Sequence, residues 1–245
     1  MKPILFNTQM VRAICKGEKT VTRRLIKLSD LNPTVKMVRH PDNPKHVALL
    51  VQWPSGKKAL INPPVQPGDM LYVRETWSFW PCFDCDNEMC CGRGISYKET
   101  DGCFVYKTQE SKVPYEEKWR PSIHMPKEAA RIFLKVTDVK ASRLHDMEIE
   151  DFRKEGIRLS TREEWNCKCN DEAEDCRDKP CEYRSTYLDA MYRRKFAELW
   201  DSTIQEDRYL IDSFEKNPLV WEIEFVRCSS EQVKEGVLFG RRIEI

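Results

Sequence analysis

The chain of 245 residues carries 41 Lys/Arg against 40 Asp/Glu, with 40% hydrophobic and 33% charged residues. That composition supports a folded core and excludes low-complexity disorder and collagen-like repetition; no apolar run reaches the roughly 18–20 residues of a membrane span. Charge is uneven, because residues 1–80 hold 13 Lys/Arg against five Asp/Glu while the remainder is net acidic, which suits either a localised anionic partner or one solvated basic surface.

The opening Met1-Lys2-Pro3-Ile4-Leu5-Phe6-Asn7 turns polar after three apolar residues. It lacks a signal-peptide core, and a cytoplasmic location is expected. Thr8 can cap a short helix ending near Cys15, with Gly17 as its left-handed stop. Eleven of the 14 prolines lie between Pro33 and Pro126, so that region is expected to hold short strands and loops. Strands are expected over Val47–Trp53, Met70–Thr76 and Phe104–Tyr106, with Pro67-Gly68-Asp69 forming a type II turn before the second. Ile132–Val139 and Val220–Val226 follow, the latter alternating Trp221, Ile223 and Phe225 with Glu222 and Glu224. Asp146 can cap a second helix, through Phe152 to Glu155, ended by Gly156. Ser185 opens the longest helix, in which Leu188, Tyr192, Phe196 and Leu199 recur at helical spacing as a core stripe. The expected architecture is one α+β domain over 1–245, a mixed β-barrel with a few flanking helices. Stretches 78–128 and 160–184, where periodicity fails, read as two cysteine-rich insertions.

Three segments carry candidate chemistry. In Gly17-Glu18-Lys19-Thr20-Val21-Thr22-Arg23-Arg24, two arginines can grip phosphate or stack on a base, and burial would lower the pKa of Lys19 toward a general base. Simple alternation sets Lys19 and Thr22 on opposite faces, so the turn must rotate Lys19 inward for the two to meet. In Gly68–Trp77, Glu75 falls on the apolar face of a strand whose other face carries Arg74. Two readings stand: a buried pair with an arginine, or an acid facing a ligand. Glu155, near Phe152 at the last turn of its helix, meets the unfavourable end of the helix dipole and needs a compensating cation, for which Lys19 or an arginine is available.

The cysteines form two clusters. Cys82-x2-Cys85-x4-Cys90-Cys91 and Cys167-x-Cys169-x6-Cys176-x4-Cys181 each offer four thiolates, enough for tetrahedral structural zinc in a reducing compartment. Free thiols and an iron–sulfur cluster are the alternative readings.

Together with Phe196-Ala197-Glu198-Leu199-Trp200-Asp201-Ser202 and Asn217–Phe225, the three segments resemble the ASCH (activating signal cointegrator homology) domain family, in particular its phage- and prophage-encoded members of the morphogenetic-protein type. The most specific part runs from Lys2-Pro3-Ile4-Leu5-Phe6-Asn7-Thr8 to Lys19-Thr20-Val21-Thr22-Arg23-Arg24. The resemblance implies a PUA-like β-barrel that binds RNA, single-stranded nucleic acid or a modified nucleoside in a cleft lined by Lys19, Thr22, Arg23, Arg24, Arg74, Glu75 and Glu155, with no membrane partner. It also implies an alternative, hydrolysis of N4-acylated cytidine, with Lys19 as base, Thr22 as nucleophile and Glu155 as acid/base. A third reading, a phage assembly or interaction protein, would use the cysteine-rich insertions as its partner surface.

Overall fold

The computed structural model describes residues 1–28, 33–81, 95–97, 102–109, 118–160 and 182–228. They are of the α+β class, and the described strands form open sheets rather than a closed barrel. The largest is a mixed five-stranded sheet of order β1-β6-β10-β11-β2, built from β1 (Lys2–Leu5), β2 (Val21–Leu25), β6 (Met70–Arg74), β10 (Phe133–Arg143) and β11 (Leu219–Arg227). Contacts divide the chain into two compact units, one of Met1–Gly17, Val65–Asp138 and Phe225–Ile245, the other of Glu18–Pro64 and Val139–Glu224.

In the first unit, helix α1 (Thr8–Cys15) starts at the residue expected to cap it, and its cap lies one residue earlier. Asn7 takes that role, its side-chain oxygen accepting from the Met10 N–H at 2.8 Å. Val11, Ala13 and Ile14 form the buried stripe. Gly17, at φ +74°, stops the helix in the left-handed region that a Cβ would disfavour. The predicted turn forms with Gly68 at φ +91° and the Asp69 N–H bonded to the Gln66 carbonyl at 3.0 Å. It delivers β6, which pairs parallel with β1 from Lys2↔Leu71 to Leu5↔Arg74 and antiparallel with β10 at Phe133↔Tyr72. Strands β7 (Trp77–Pro81), β8 (Ile95–Tyr97) and β9 (Gly102–Tyr106) make an antiparallel sheet of order β7-β9-β8. Phe104, Tyr106 and Met125 join Tyr72 and Trp77 in one buried cluster. The described parts of 78–128 therefore supply core, which the irregular periodicity there conceals.

In the second unit, β3 (Thr34–His40), β4 (Asn43–Gln52) and β5 (Lys58–Ile61) form an antiparallel meander. Helix α2 (Ile149–Lys154) lies close to its expected position. The residues around Asp146 form a 3-10 turn instead of the cap, and Asp151 closes the helix start by accepting from the Glu148 N–H at 3.1 Å. Helix α3 (Glu182–Asp201) begins three residues before Ser185. Phe152 is fully buried against Tyr192 and Phe196, with Trp200, Leu144, Met147 and Val220 completing the cluster, each large side chain contributing about 1.5–3 kcal/mol of burial. A one-turn helix, α4 (Tyr209–Asp212), precedes Asn217, which sits at φ +50°. Its side-chain oxygen accepts from the His145 N–H at 2.8 Å, and its carbonyl from Arg143 Nη1 at 3.0 Å. Of 160–184, residues 161–181 lie outside the described residues.

Candidate functional site

The helix end that positions Glu155 is dictated by one glycine. Gly156, at φ +84°, directs its N–H to the Arg153 carbonyl at 2.9 Å, and the Ile157 N–H returns to the Phe152 carbonyl at 3.0 Å. This paired closure ends α2 with Glu155 at its C-cap. An isolated antiparallel bridge joins Lys19 to Glu155, and the Thr20 N–H donates to the Lys154 carbonyl at 2.9 Å. That bridge, which strand alternation does not anticipate, is the device that turns Lys19 inward.

Lys19 is 2% exposed and Glu155 5%. The Lys19 ammonium contacts Glu155 Oε2 directly and donates to the Glu155 carbonyl oxygen at 3.1 Å. Burial lowers the Lys19 pKa from its ordinary value, and the adjacent Glu155 carboxylate opposes that shift. Arg23 extends the network. Its Nη1 donates to Glu155 Oε1 at 3.2 Å and its Nη2 to Glu222 Oε2 at 2.9 Å, with Asp151 Oδ1 3.7 Å away. Strand register fixes this pairing, because Arg23 lies directly opposite Glu222. Glu222 also accepts from Ser142 Oγ at 3.3 Å and pairs with Lys140 at 3.0 Å. Arg23 Nε is buried and makes no hydrogen bond among the described residues.

The anionic C-cap of α2 is thus offset by two buried cations, as the dipole argument requires. Thr22 is buried opposite Ile223. Among the described residues no hydrogen bond joins it to Lys19 or Glu155. Arg24, opposite Trp221 and half-buried, has its pKa lowered by burial, with Glu155 opposing. An open groove of about 660 Å³ lies between α2 and α3, lined by Glu148, Glu150, Arg153, Asp189 and Arg193 among others. Lys19, Thr22, Arg23 and Glu155 are not in its lining.

Glu75 and Arg74 belong to the first unit. Glu75 is 1% exposed and adopts the arginine-paired arrangement. Arg131 donates from Nε to Oε1 at 2.9 Å and from Nη2 to Oε2 at 3.0 Å, while Thr108 Oγ1 donates to Oε2 at 2.6 Å. The same guanidinium lies 4.2 Å from the Tyr106 ring centroid, combining a bidentate pair with a cation–π contact. Arg74 Nη1 donates to the Ile123 carbonyl at 3.1 Å, and its guanidinium lies 5.8 Å from the Tyr72 ring.

Arg131, Thr108, Glu222, Lys140, Ser142 and Asp151 are polar partners that sequence reasoning did not select. Glu222 was legible as the polar side of an alternating strand; its burial was not, because both faces of β11 are covered along most of its length. Cys82, Cys85, Cys90, Cys91, Cys167, Cys169, Cys176 and Cys181 lie outside the described residues. Cys15 is exposed and Cys228 half-buried, both with free thiols. No helix among the described residues is long and apolar enough to cross a membrane. No family model, curated protein or solved structure matches the chain.

Proposed function

We propose that this chain is an ASCH-type, PUA-like domain that binds a nucleic acid or modified nucleoside beside the Lys19–Glu155–Arg23 cluster. One observation carries the reading: three residues singled out from two distant segments meet in a single buried polar network. Such a network fixes side chains in place, and Arg24 supplies a further cation on the adjoining strand position. The mixed five-stranded sheet with its parallel β1–β6 pair supports the PUA-like assignment.

A second reading, amide hydrolysis of an N4-acylated cytidine, is favoured by the lowered pKa of Lys19. In that reaction the neutral Lys19 amine takes the Thr22 hydroxyl proton and Thr22 Oγ attacks the acyl carbonyl. The nitrogen leaves as the exocyclic amine of cytidine, protonated by way of Glu155, and water then releases the acyl group from Thr22. Incubation with N4-acetylcytidine, followed by chromatography for cytidine and acetate, tests it. Turnover that is lost in Thr22→Val, with circular dichroism unchanged, supports hydrolysis. Binding of the nucleoside without turnover leaves the first reading. The absence of both binding and turnover refutes hydrolysis, while absence of affinity for RNA, single-stranded DNA and the nucleoside alike refutes the first reading. The zinc proposal rests on cysteine spacing, and elemental analysis of protein purified without chelator decides it: less than about 0.2 zinc per chain refutes a tetrahedral site.

A further inference from the structure

The β3–β4–β5 meander holds much of the excess positive charge of the N-terminal third. Residues 33–64 contain Lys36, Arg39, Lys45, Lys57 and Lys58 against the single acid Asp42. All five cations are exposed. Among the described residues none of the five has a carboxylate within ion-pair distance. Elsewhere the pattern is different: Arg23, Arg131, Lys140, Arg193 and Arg208 each pair with an acid. An unneutralised cluster on a hydrogen-bonded sheet is a persistent positive field.

Register sorts these charges by face. The rows Thr34↔Gln52↔Lys58 and Lys36↔Leu50↔Leu60 are two residues apart, so Lys36 and Lys58 share one face of the sheet. Lys57 adjoins them at the β4–β5 turn, 5.6 Å from the Trp53 ring centroid. Arg39, opposite Val47 and three residues from Lys36, belongs to the other face, and Lys45 lies in the register shift that follows it. From the Lys36 row to the Lys58 row is two residues, about 7 Å of strand. A duplex presents one phosphate charge per roughly 1.7 Å of axis and a single strand about one per 3.4 Å, so the face carrying Lys36 and Lys58, with Lys57 beside it, spans about two or three phosphates of a single strand.

We infer that the β3–β4–β5 ribbon is a contact surface for the phosphate backbone of a nucleic acid. In taking the polyanion to be a nucleic acid, the inference builds on the function proposed above, but it assigns a separate surface. Lysines outnumber arginines here four to one, which suits point-charge attraction to phosphate rather than the planar fork that reads base edges. A membrane surface fits less well. Its anionic lipids would be joined by apolar insertion, whereas the turns of the ribbon carry Pro41-Asp42 and Pro54-Ser55-Gly56, with no exposed aromatic residue.

The test is fluorescence anisotropy of the full chain with a labelled single-stranded RNA of about 20 nucleotides, titrated across salt. Three single-strand phosphate contacts, from Lys36, Lys57 and Lys58, give a slope of log affinity against log salt near −2, an approximately 20-fold loss for a fourfold rise in salt. The double variant Lys36→Gln/Lys58→Gln, whose side chains are exposed, is expected to fold normally and to flatten that slope to about −0.7. An unchanged affinity and slope in the variant, with RNA bound by the wild type, overturns the ribbon and leaves the nucleoside site standing. Nucleoside bound beside Lys19 with no RNA affinity in the wild type has the same effect. Capture of the wild type by phosphatidylserine-containing vesicles and not by RNA also overturns it.

Discussion

Glu155→Gln and Lys19→Met, two halves of one contact, should have unequal effects. Glu155 accepts from Lys19 and from Arg23, so its replacement leaves one buried cation without its carboxylate and the other with fewer partners. Breaking a buried pair from this side costs about 3–5 kcal/mol. Lys19→Met leaves Glu155 still bonded to Arg23, and the expected cost is about 1–2 kcal/mol. In the double variant Arg23 keeps Glu222 and Asp151, and the combined loss should fall short of the sum by about 1–3 kcal/mol. Urea denaturation at constant m value measures all three.

The pH dependence supplies an internal check. The folded-state pKa of Lys19 is below its unfolded value of 10.5, so the unfolded chain binds more protons in that interval and stability rises with pH there. The cost of burying the charge is fully present below the folded pKa and is fully relieved above the unfolded one. Glu155→Gln removes the interaction that opposes the shift, so the interval begins at lower pH in that variant. The Glu155→Gln deficit should therefore shrink as pH rises from the folded Lys19 pKa of the variant to that of the wild type, both below 10.5, by up to about 1.4 kcal/mol per pH unit. Equal and additive single effects, with a pH-independent deficit, would refute the reasoning.

In the first unit, Arg131→Lys keeps the charge but loses the bidentate pair with Glu75 and the stack on Tyr106. A loss of about 1–3 kcal/mol is expected, and a melting temperature equal to wild type counts against that geometry. Phe152→Ala empties the centre of the second unit's core and should cost about 3–5 kcal/mol in chemical denaturation. A loss under about 1 kcal/mol would mean that Tyr192 and Phe196 are not packed around it.

Local signals proved legible where a residue type has one conformational job. Gly17, Gly68 and Gly156 occupy the left-handed positions expected of them, and strands with strong alternation stand near their expected places. The alternating apolar stripe of α3 was equally readable, since helical spacing and burial coincide at Tyr192 and Phe196. Pairings between distant segments were not. Nothing local to β11 announces that Glu222 will stand opposite Arg23, and nothing near Glu75 names Arg131, which is 56 residues away. Lys19 shows the same limit: alternation sends it outward, and only the backbone bridge to Glu155 brings it in. The short β1 and β5, four residues each, carry too little pattern to be seen without their partners.

Asn217 has a chemical consequence beyond its turn. Asparagine ages by deamidation when the next residue's backbone nitrogen attacks the side-chain amide. Here that neighbour is Pro218, whose nitrogen bears no hydrogen, and the amide oxygen is already held by the His145 N–H. The succinimide route to aspartate is closed at this position, so the turn before the last described strand is expected to deamidate more slowly than one in which a residue with a backbone N–H follows the asparagine.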